Sequence, residues 1–396
     1  MAWAIGANDV ANAMGTSVGS GALTIRGAIL VAGVLEFGGA FLAGGHVTET
    51  VRKGILNMDM VSDDALLYGM LAALASAALL LLGATRLGLP VSTTHSIVGA
   101  IVGFGAVAVG ADAVNWAKVG QIVLSWVTSP VLSGVMAFGI FQLTRVLILD
   151  TEDPLRQTRR VGPFFFFFVF FIMGLVTLFK GLKHVDLGLD LPQALLGATL
   201  VGFAGMAVGH LFLRRVDEGE PKKTRRFDRV ERVFVVLQIL TACAVAFAHG
   251  SNDVANAIGP LAAVVSVVNQ VEVGRSAALQ PWMLAVGGLG IVFGLATWGY
   301  RVMETVGKKI TELTPSRGFA AELAAATTIV LASQLGIPVS TTHTLVGAVL
   351  GVGFARGIGA VDLRVVGKIM VSWVATLPIA GVLAIFFYYF FKGLLS

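Results

Sequence analysis

The chain has 396 residues, of which 56% are hydrophobic and 13% are charged, and its mean hydropathy is +0.85. This composition excludes a soluble domain of any size and is typical of a protein that lies in lipid. The net charge of +5 lies mostly in loops, so it indicates membrane orientation and not nucleic-acid binding. The single cysteine, Cys243, excludes an intrachain disulfide.

Apolar segments follow one another along the chain and predict an all-α polytopic membrane protein. They lie near 27–45, 65–84, 95–110, 116–148, 163–180, 191–213, 231–249, 254–268, 282–300, 320–336, 343–356 and 364–392. The pieces 95–110 and 343–356 are too short to cross about 30 Å of hydrocarbon, which takes about 20 helical residues. Each follows Pro-Val-Ser-Thr-Thr-His, where proline and β-branched residues interrupt a helix, so we predict two re-entrant hairpins.

Two motifs occur twice. Gly-Ala-Asn-Asp-Val-Ala-Asn-Ala at 6–13 returns as Gly-Ser-Asn-Asp-Val-Ala-Asn-Ala at 250–257, and Pro-Val-Ser-Thr-Thr-His at 90–95 returns at 338–343. Such duplication is typical of transporters built from inverted-topology repeats with interrupted helices. The first Asn-Asp motif follows only five residues, whereas the second follows a full apolar run, so we expect the natural gene product to have an additional stretch upstream.

Loop charges predict how the two halves are oriented. The linker from Arg214 to Arg229 is strongly basic and is predicted to be cytoplasmic, as is the loop 301–318. The loop 46–64, with Glu49, Arg52, Lys53 and three aspartates, and both termini are predicted to be outside. We therefore predict a first inverted repeat over 1–148, two connecting spans and the basic linker over 149–230, and a second inverted repeat, with 231–268 as one interrupted span, over 231–396.

Small residues follow each Ser-Thr-Thr-His block at matching positions. Gly99 and Gly103 in the first half correspond to Gly347 and Gly351 in the second. Glycines four residues apart on a membrane helix favour close contact with another backbone, although such spacings also arise as lipid-compatible filler.

The repeated aspartates, Asp9 and Asp253, are candidates for function because an ionised Asp in a membrane span costs about 2.5 to 3.5 kcal/mol. Asn8 and Asn12 share a helix face with each other, as do Asn252 and Asn256, and their amide oxygens join each carboxylate. Oxygen ligands of this kind suit a small hard cation, with Asp9, Asn12, Asp253 and Asn256 as its ligands. The structural alternative is a buried polar cluster that holds helices together.

The hydroxyl blocks Ser92-Thr93-Thr94 and Ser340-Thr341-Thr342 stand immediately before short helices, where free N–H groups and the helix dipole attract anions. Helix capping alone is the structural alternative. Neither motif contains Lys or Arg, so an anion beside Asp9 and Asp253 needs cations to balance the charge. The sequence therefore predicts a transporter that couples cation and anion binding.

The remaining polar residues of the apolar segments leave alternatives open. His95 and His343 suit either proton carriage or fixed hydrogen bonding. Glu36 and Glu322 have no counterpart in the other half and are pathway groups, groups that bind an extra ion, or snorkelling side chains. A channel would need a continuous polar stripe, and an enzyme would need a nucleophile or a clustered metal site. We see neither, because the other histidines, His46, His184, His210 and His249, show no clustering in sequence.

The four motif copies, in this order along essentially the whole chain, resemble the signatures of the PiT family of inorganic phosphate transporters, the type III sodium-phosphate symporters. The resemblance implies uptake of phosphate across the cell (inner) membrane, no cofactor, and Na+ as the coupling ion, with H+ coupling or a sulfate permease as the rival. It is compatible with a homodimer, and the short central linker implies a prokaryotic source. Carried onto this chain, the family motifs place phosphate or cation at Asn8, Asp9, Asn252 and Asp253, and phosphate at Ser92, Thr93, Thr94, Ser340, Thr341 and Thr342.

Overall fold

The computed structural model describes residues 1–45, 54–178, 190–216, 228–269, 280–334 and 339–395. These residues are almost entirely helical and contain no β-strand. Eight of the described helices are long and apolar enough to cross a membrane. The prediction of an all-α polytopic membrane protein is therefore confirmed.

The helices of the first 214 residues alternate between long spans and short pieces. They are α1 (Ala2–Asp9), α2 (Ala11–Gly19), α3 (Ile25–Ala43), α4 (Asp63–Arg86), α5 (Thr93–Phe104), α6 (Trp116–Thr144), α7 (Pro154–Val176) and α8 (Leu191–Arg214). The rest of the described chain forms α9 (Asp228–Val268), α10 (Pro281–Trp298), α11 (Tyr300–Glu304), α12 (Pro315–Gln334), α13 (Thr341–Ala355) and α14 (Leu363–Leu395). Short π-helical turns follow α5, α6 and α11 at Gly105–Val109, Arg145–Leu149 and Thr305–Lys309.

Polar residues fix where the helices begin. Ser62 accepts a hydrogen bond from Ala65 N at 3.3 Å at the start of α4. Asp190 and Gln193 form a reciprocal capping box at the start of α8. These side chains satisfy N–H groups that have no partner within the helix, so each span begins at a defined residue.

The short helices α5 and α13 match the two short pieces of the sequence. The chain between Arg86 and Thr93 is non-helical, as the first Pro-Val-Ser-Thr-Thr-His block predicts. The equivalent stretch 335–338 lies outside the described residues. How deeply either hairpin enters the bilayer remains a prediction.

The glycines of the two short helices lie against long helices, so the predicted close backbone contacts are confirmed. A methyl group added at Gly347 would lie 2.3 Å from the carbonyl oxygen of Pro130. One added at Gly351 would lie 2.0 Å from that of Gly134. In the other half, Gly99 faces Leu377 and Gly103 faces Gly381. Thus α13 packs on α6, and α5 packs on α14.

The predicted interruption of 231–268 is wrong, because α9 runs as one helix through the second Asn-Asp motif. The first motif is divided between α1 and α2 only by Val10, which itself has helical backbone angles. The motif side chains can supply ligands without unwinding the backbone. Pro260 removes one bond from the backbone ladder of α9, but the segment stays helical. At 1.5 Å per residue the helix is about 60 Å long, far more than the bilayer core is thick.

The side of the membrane that each loop faces remains a prediction. Most of the basic linker lies outside the described residues, because the structure describes only 214–216 and 228–229 of it. Outside them too are His46, Glu49, Arg52, Lys53 and His184.

Candidate functional site

The two repeated aspartates come together at the centre of the molecule. Asp9 ends α1 and Asp253 lies within α9, and both side chains are buried. One carboxylate oxygen of each, with one ring nitrogen of His249, lies within 4.8 Å of the others. Within the described ranges, no Lys or Arg forms an ion pair with either aspartate.

The threonines of the hydroxyl blocks contact these carboxylates directly. Thr93 Oγ1 donates to Asp9 Oδ2 at 2.7 Å, and Thr341 Oγ1 donates to Asp253 Oδ2 at 2.9 Å. Thr342 Oγ1 donates to the other oxygen of Asp9 at 3.2 Å. Because Thr93 and Thr341 are the first residues of α5 and α13, the N-termini of both short helices lie beside the carboxylates.

The asparagines link each motif to the hydroxyl block of the other half. Asn12 Nδ2 donates to Thr342 Oγ1 at 2.8 Å. Asn256 Nδ2 lies 3.2 Å from Thr93 Oγ1 and 3.4 Å from Thr94 Oγ1. The two halves therefore build one cluster, in which each supplies hydroxyls to the other.

Two amide oxygens in this cluster are buried without a hydrogen-bond partner, namely Asn12 Oδ1 and Asn252 Oδ1. Asn252 instead donates through Nδ2 to Asp253 Oδ1 at 2.7 Å. A buried acceptor without a partner is costly, and a cation beside the carboxylates would satisfy it. This oxygen set could hold a small hard cation.

The Asn8 amide has a structural task that the sequence did not predict. Its Nδ2 donates to Thr85 Oγ1 at 2.9 Å and to Leu89 O at 3.1 Å, and its Oδ1 accepts from Val91 N at 3.2 Å. These bonds fix the chain between α4 and α5. A direct contact of Asn8 with phosphate remains a prediction.

The serines of the hydroxyl blocks serve as helix caps. Ser92 Oγ accepts from His95 N at 3.2 Å, and Ser340 Oγ accepts from His343 N at 3.2 Å. This is the structural alternative that the sequence left open. Thr93, Thr341 and Thr342, in contrast, donate their hydroxyls to the aspartates, so the serines and these threonines have different contacts.

His95 and His343 have fixed partners outside the aspartate cluster. His95 Nδ1 lies 3.4 Å from Trp373 O, and His343 Nδ1 lies 3.1 Å from Trp126 O. Their rings also pack on tryptophan rings, with centroids 3.6 Å and 3.5 Å apart. This geometry favours fixed hydrogen bonding over proton carriage.

The prediction that His249 belongs to no cluster is wrong, because this side chain lies beside Asp253. His249 Nε2 is 2.8 Å from Asp253 Oδ2, without the alignment of a hydrogen bond, and Nδ1 is 2.9 Å from Glu36 Oε2. All three side chains are fully buried, so Glu36 does not snorkel. The spacing of four residues between 249 and 253 on one apolar helix was the signal that could have identified it.

Glu322 is the centre of a second buried cluster, so it does not snorkel, and the sequence did not predict the other members of this cluster. Thr16 and Ser17 each donate to its Oε1 at 2.6 Å, and Thr241 donates to its Oε2 at 2.7 Å. Gln238 Nε2 lies 3.3 Å from Oε1. These oxygens could also hold a small cation. The position of Thr16 one turn after Asn12 on α2 is the sequence signal that could have identified this cluster.

Comparisons with known proteins all identify phosphate transporters or permeases. The model of the phosphate transporter family matches residues 5–384. A putative phosphate permease of Haemophilus influenzae is 48% identical, over 100% of this chain and 95% of its own. The chloroplastic inorganic phosphate transporter 2-1 of Arabidopsis thaliana is 45% identical, over 100% of this chain and 71% of its own. A solved structure titled the sodium-dependent phosphate transporter is 43% identical, with a TM-score of 0.90 over 99% of this chain and 96% of that one.

Proposed function

The chain belongs to the phosphate transporter family, and from that premise we propose that it takes up inorganic phosphate by symport with Na+. Members of this family are multi-pass membrane transporters and not enzymes. The proposal concerns the coupling ion, the residues that bind each ion and the route across the membrane.

One observation carries the proposal, namely the pairing of two buried aspartates with hydroxyl donors in a cluster without Lys or Arg among the described residues. Phosphate is an anion, and two carboxylates would repel it. Cations bound by Asp9 and Asp253 cancel that repulsion, so cation binding and phosphate binding favour each other. This mutual dependence is what couples the two fluxes.

The residues then divide into two groups. Asp9 with Asn12, and Asp253 with Asn256, bind Na+ through their oxygens. Phosphate lies against the N-termini of α5 and α13, where backbone N–H groups and hydroxyls donate to it. The phosphate ligands are Ser92, Thr93, Thr94, Ser340, Thr341 and Thr342, with the Asn8 and Asn252 amides behind them.

Proton coupling is the second candidate, and the contacts of His249 favour it. Glu36, His249 and Asp253 form a continuous buried chain of titratable groups that ends at the proposed cation site. Na+ remains the first choice because carboxylate and amide oxygens surround that site and because the similar solved structure is described as sodium-dependent.

Transport requires that the site open to each side in turn. We propose that the two halves form an inverted repeat in the cell membrane. The site then opens to one side of the membrane and afterwards to the other, as the two halves exchange conformations. The equivalent contacts of α5 with α14 and of α13 with α6 support this repeat.

Uptake of radiolabelled phosphate into proteoliposomes, with Na+ and pH gradients imposed separately, tests the proposal. An inward Na+ gradient at constant pH should drive accumulation of phosphate, and sulfate should compete weakly. Accumulation driven by the pH gradient alone would establish the second candidate. Accumulation of sulfate in place of phosphate would contradict the proposed substrate.

A further inference from the structure

A cleft of about 860 Å³ lies away from the aspartate cluster, where the turn Thr305–Lys309 and the chain after it meet the start of α14. Its charged lining residues are Lys308, Lys309 and Arg364, with Glu312 and Asp362. None of these residues belongs to the four repeated motifs, and the proposed symport does not use them.

Both acids of the cleft are engaged by other groups. Asp362 Oδ1 accepts from the backbone N–H of Arg364 at 2.9 Å and caps the start of α14. Glu312 Oε2 lies 3.3 Å from Arg356 Nη2 and 3.8 Å from Arg317 Nη1. Glu312 is therefore paired with two arginines, whereas Asp362 keeps its negative charge.

The three basic side chains are exposed, and in the described part of the chain no carboxylate pairs with them. Cations of one sign around a concave surface focus their field and raise the local concentration of anions. Three cations outweigh the one unpaired carboxylate of Asp362 and leave the cleft with a net positive charge. Arg364 adds the planar donors that suit phosphate oxygens.

The cleft is close to the proposed transport site. Gly19 ends α2 and lines the cleft, and a methyl group there would lie 2.1 Å from Gly307 O. Asn12 stands on the same helix seven residues earlier, since 19 − 12 = 7. At 1.5 Å per residue this places the cleft about 10 Å along α2 from the aspartate cluster.

We propose that this cleft is a second anion site, which binds a phosphate group without Na+ at the end of α2 beside the loop 301–318, on the predicted cytoplasmic side. The binding follows from the three basic residues alone, whereas a role in receiving phosphate released by uptake rests on the proposed transport function. A free phosphate ion and the phosphate of an anionic lipid share this chemistry, and the experiment separates them.

The test uses full-length protein in which Lys308→Gln, Lys309→Gln and Arg364→Gln are combined. Lys118→Gln, Arg156→Gln and Lys392→Gln, which remove the same charge elsewhere, form the matched control. Equilibrium dialysis measures binding of radiolabelled phosphate in Na+-free buffer of low ionic strength. We expect weak, salt-sensitive binding to the parent and the control, and binding roughly tenfold weaker in the cleft variant.

Na+-free phosphate binding to protein in vesicles identifies the source of the phosphate group. Weaker binding by the cleft variant than by the control in vesicles of neutral lipid supports free phosphate. An effect confined to vesicles that contain phosphatidylglycerol supports the lipid phosphate. Equal Na+-free binding in parent, cleft variant and control would overturn the inference. Loss of Na+-stimulated binding in the parent would contradict the symport proposal alone.

Discussion

Each of the two buried aspartates accepts a hydrogen bond from a threonine hydroxyl. Thr93 and Thr341 hold equivalent positions, and each donates to the aspartate of its own half. A hydroxyl can donate a hydrogen bond to a carboxylate or to phosphate, and its oxygen can coordinate a cation. These residues can therefore contact both ions during one transport cycle.

Replacing Thr93 or Thr341 by Val keeps the shape and removes the donor. A lost hydrogen bond to a desolvated anion costs about 1.5–3 kcal/mol, which is roughly 10- to 100-fold in affinity. We therefore expect a clear rise in the half-saturating phosphate concentration for uptake. Thr199→Val on α8, whose hydroxyl bonds only within its own helix, is the control. Unchanged affinity in both central variants, with normal folding, would show that these threonines only hold the aspartates and do not bind phosphate.

The buried contact between His249 and Glu36 predicts a stability effect. His249→Leu leaves the Glu36 carboxylate without its partner, a loss of about 3 kcal/mol for a broken buried pair. Adding Glu36→Gln should recover most of the loss, because the group that remains is neutral. Thermal unfolding of the two single variants and the double variant measures this coupling. Additive losses would show that the two side chains do not interact.

The sequence was sufficient for the aspartates and threonines because duplication marked them twice. His249, Glu36 and Glu322 occur once each, so that signal was absent. Apart from the contact of His249 with Asp253, their contacts join residues more than 80 positions apart, such as Thr16 with Glu322. A single sequence without the fold does not contain such contacts.

Close helix packing places the hydroxyl blocks. Because α13 lies against α6 through glycines, its N-terminus is held firmly beside Asp253. The glycine spacing predicted a close backbone contact here but not that α6 is the partner. The continuity of α9 was not predictable in the same way, because the same side-chain ligands can come from an intact or from an interrupted helix.

Gly351→Ala should disturb that contact. The added methyl group would meet the backbone of Gly134, which cannot move away as a side chain can. We expect a Tm lower by several degrees, corresponding to about 1–3 kcal/mol for overpacking, and impaired uptake. Gly139→Ala on α6, where the space is open, is the control and should keep both properties. Equal Tm values in the two variants would contradict close packing at this point.

The whole molecule has a predicted topology that labelling can test. In a Cys243→Ala background, single cysteines at Asp59 and Lys392 should react with an impermeant thiol reagent in intact cells. A cysteine at Arg215 should react only after permeabilisation, because the basic linker is predicted to be cytoplasmic. Labelling of position 215 from outside would overturn the predicted orientation.

Mutual dependence of Na+ and phosphate binding is the central claim, and it belongs to the molecule as a whole. By linkage, Na+ must tighten phosphate binding by the same factor by which phosphate tightens Na+ binding. Asp253→Asn and Asp9→Asn keep size nearly unchanged and remove a charge, so each should weaken the stimulation by Na+.

Measuring phosphate affinity with and without Na+ for the parent, Asp9→Asn and Asp253→Asn tests this claim most directly. We predict strong stimulation by Na+ in the parent and a large loss of that stimulation in both variants. If the aspartates only repelled phosphate, each variant would bind phosphate more tightly in Na+-free buffer and keep its response to Na+. Full retention of Na+ stimulation in both variants would contradict the proposed symport mechanism.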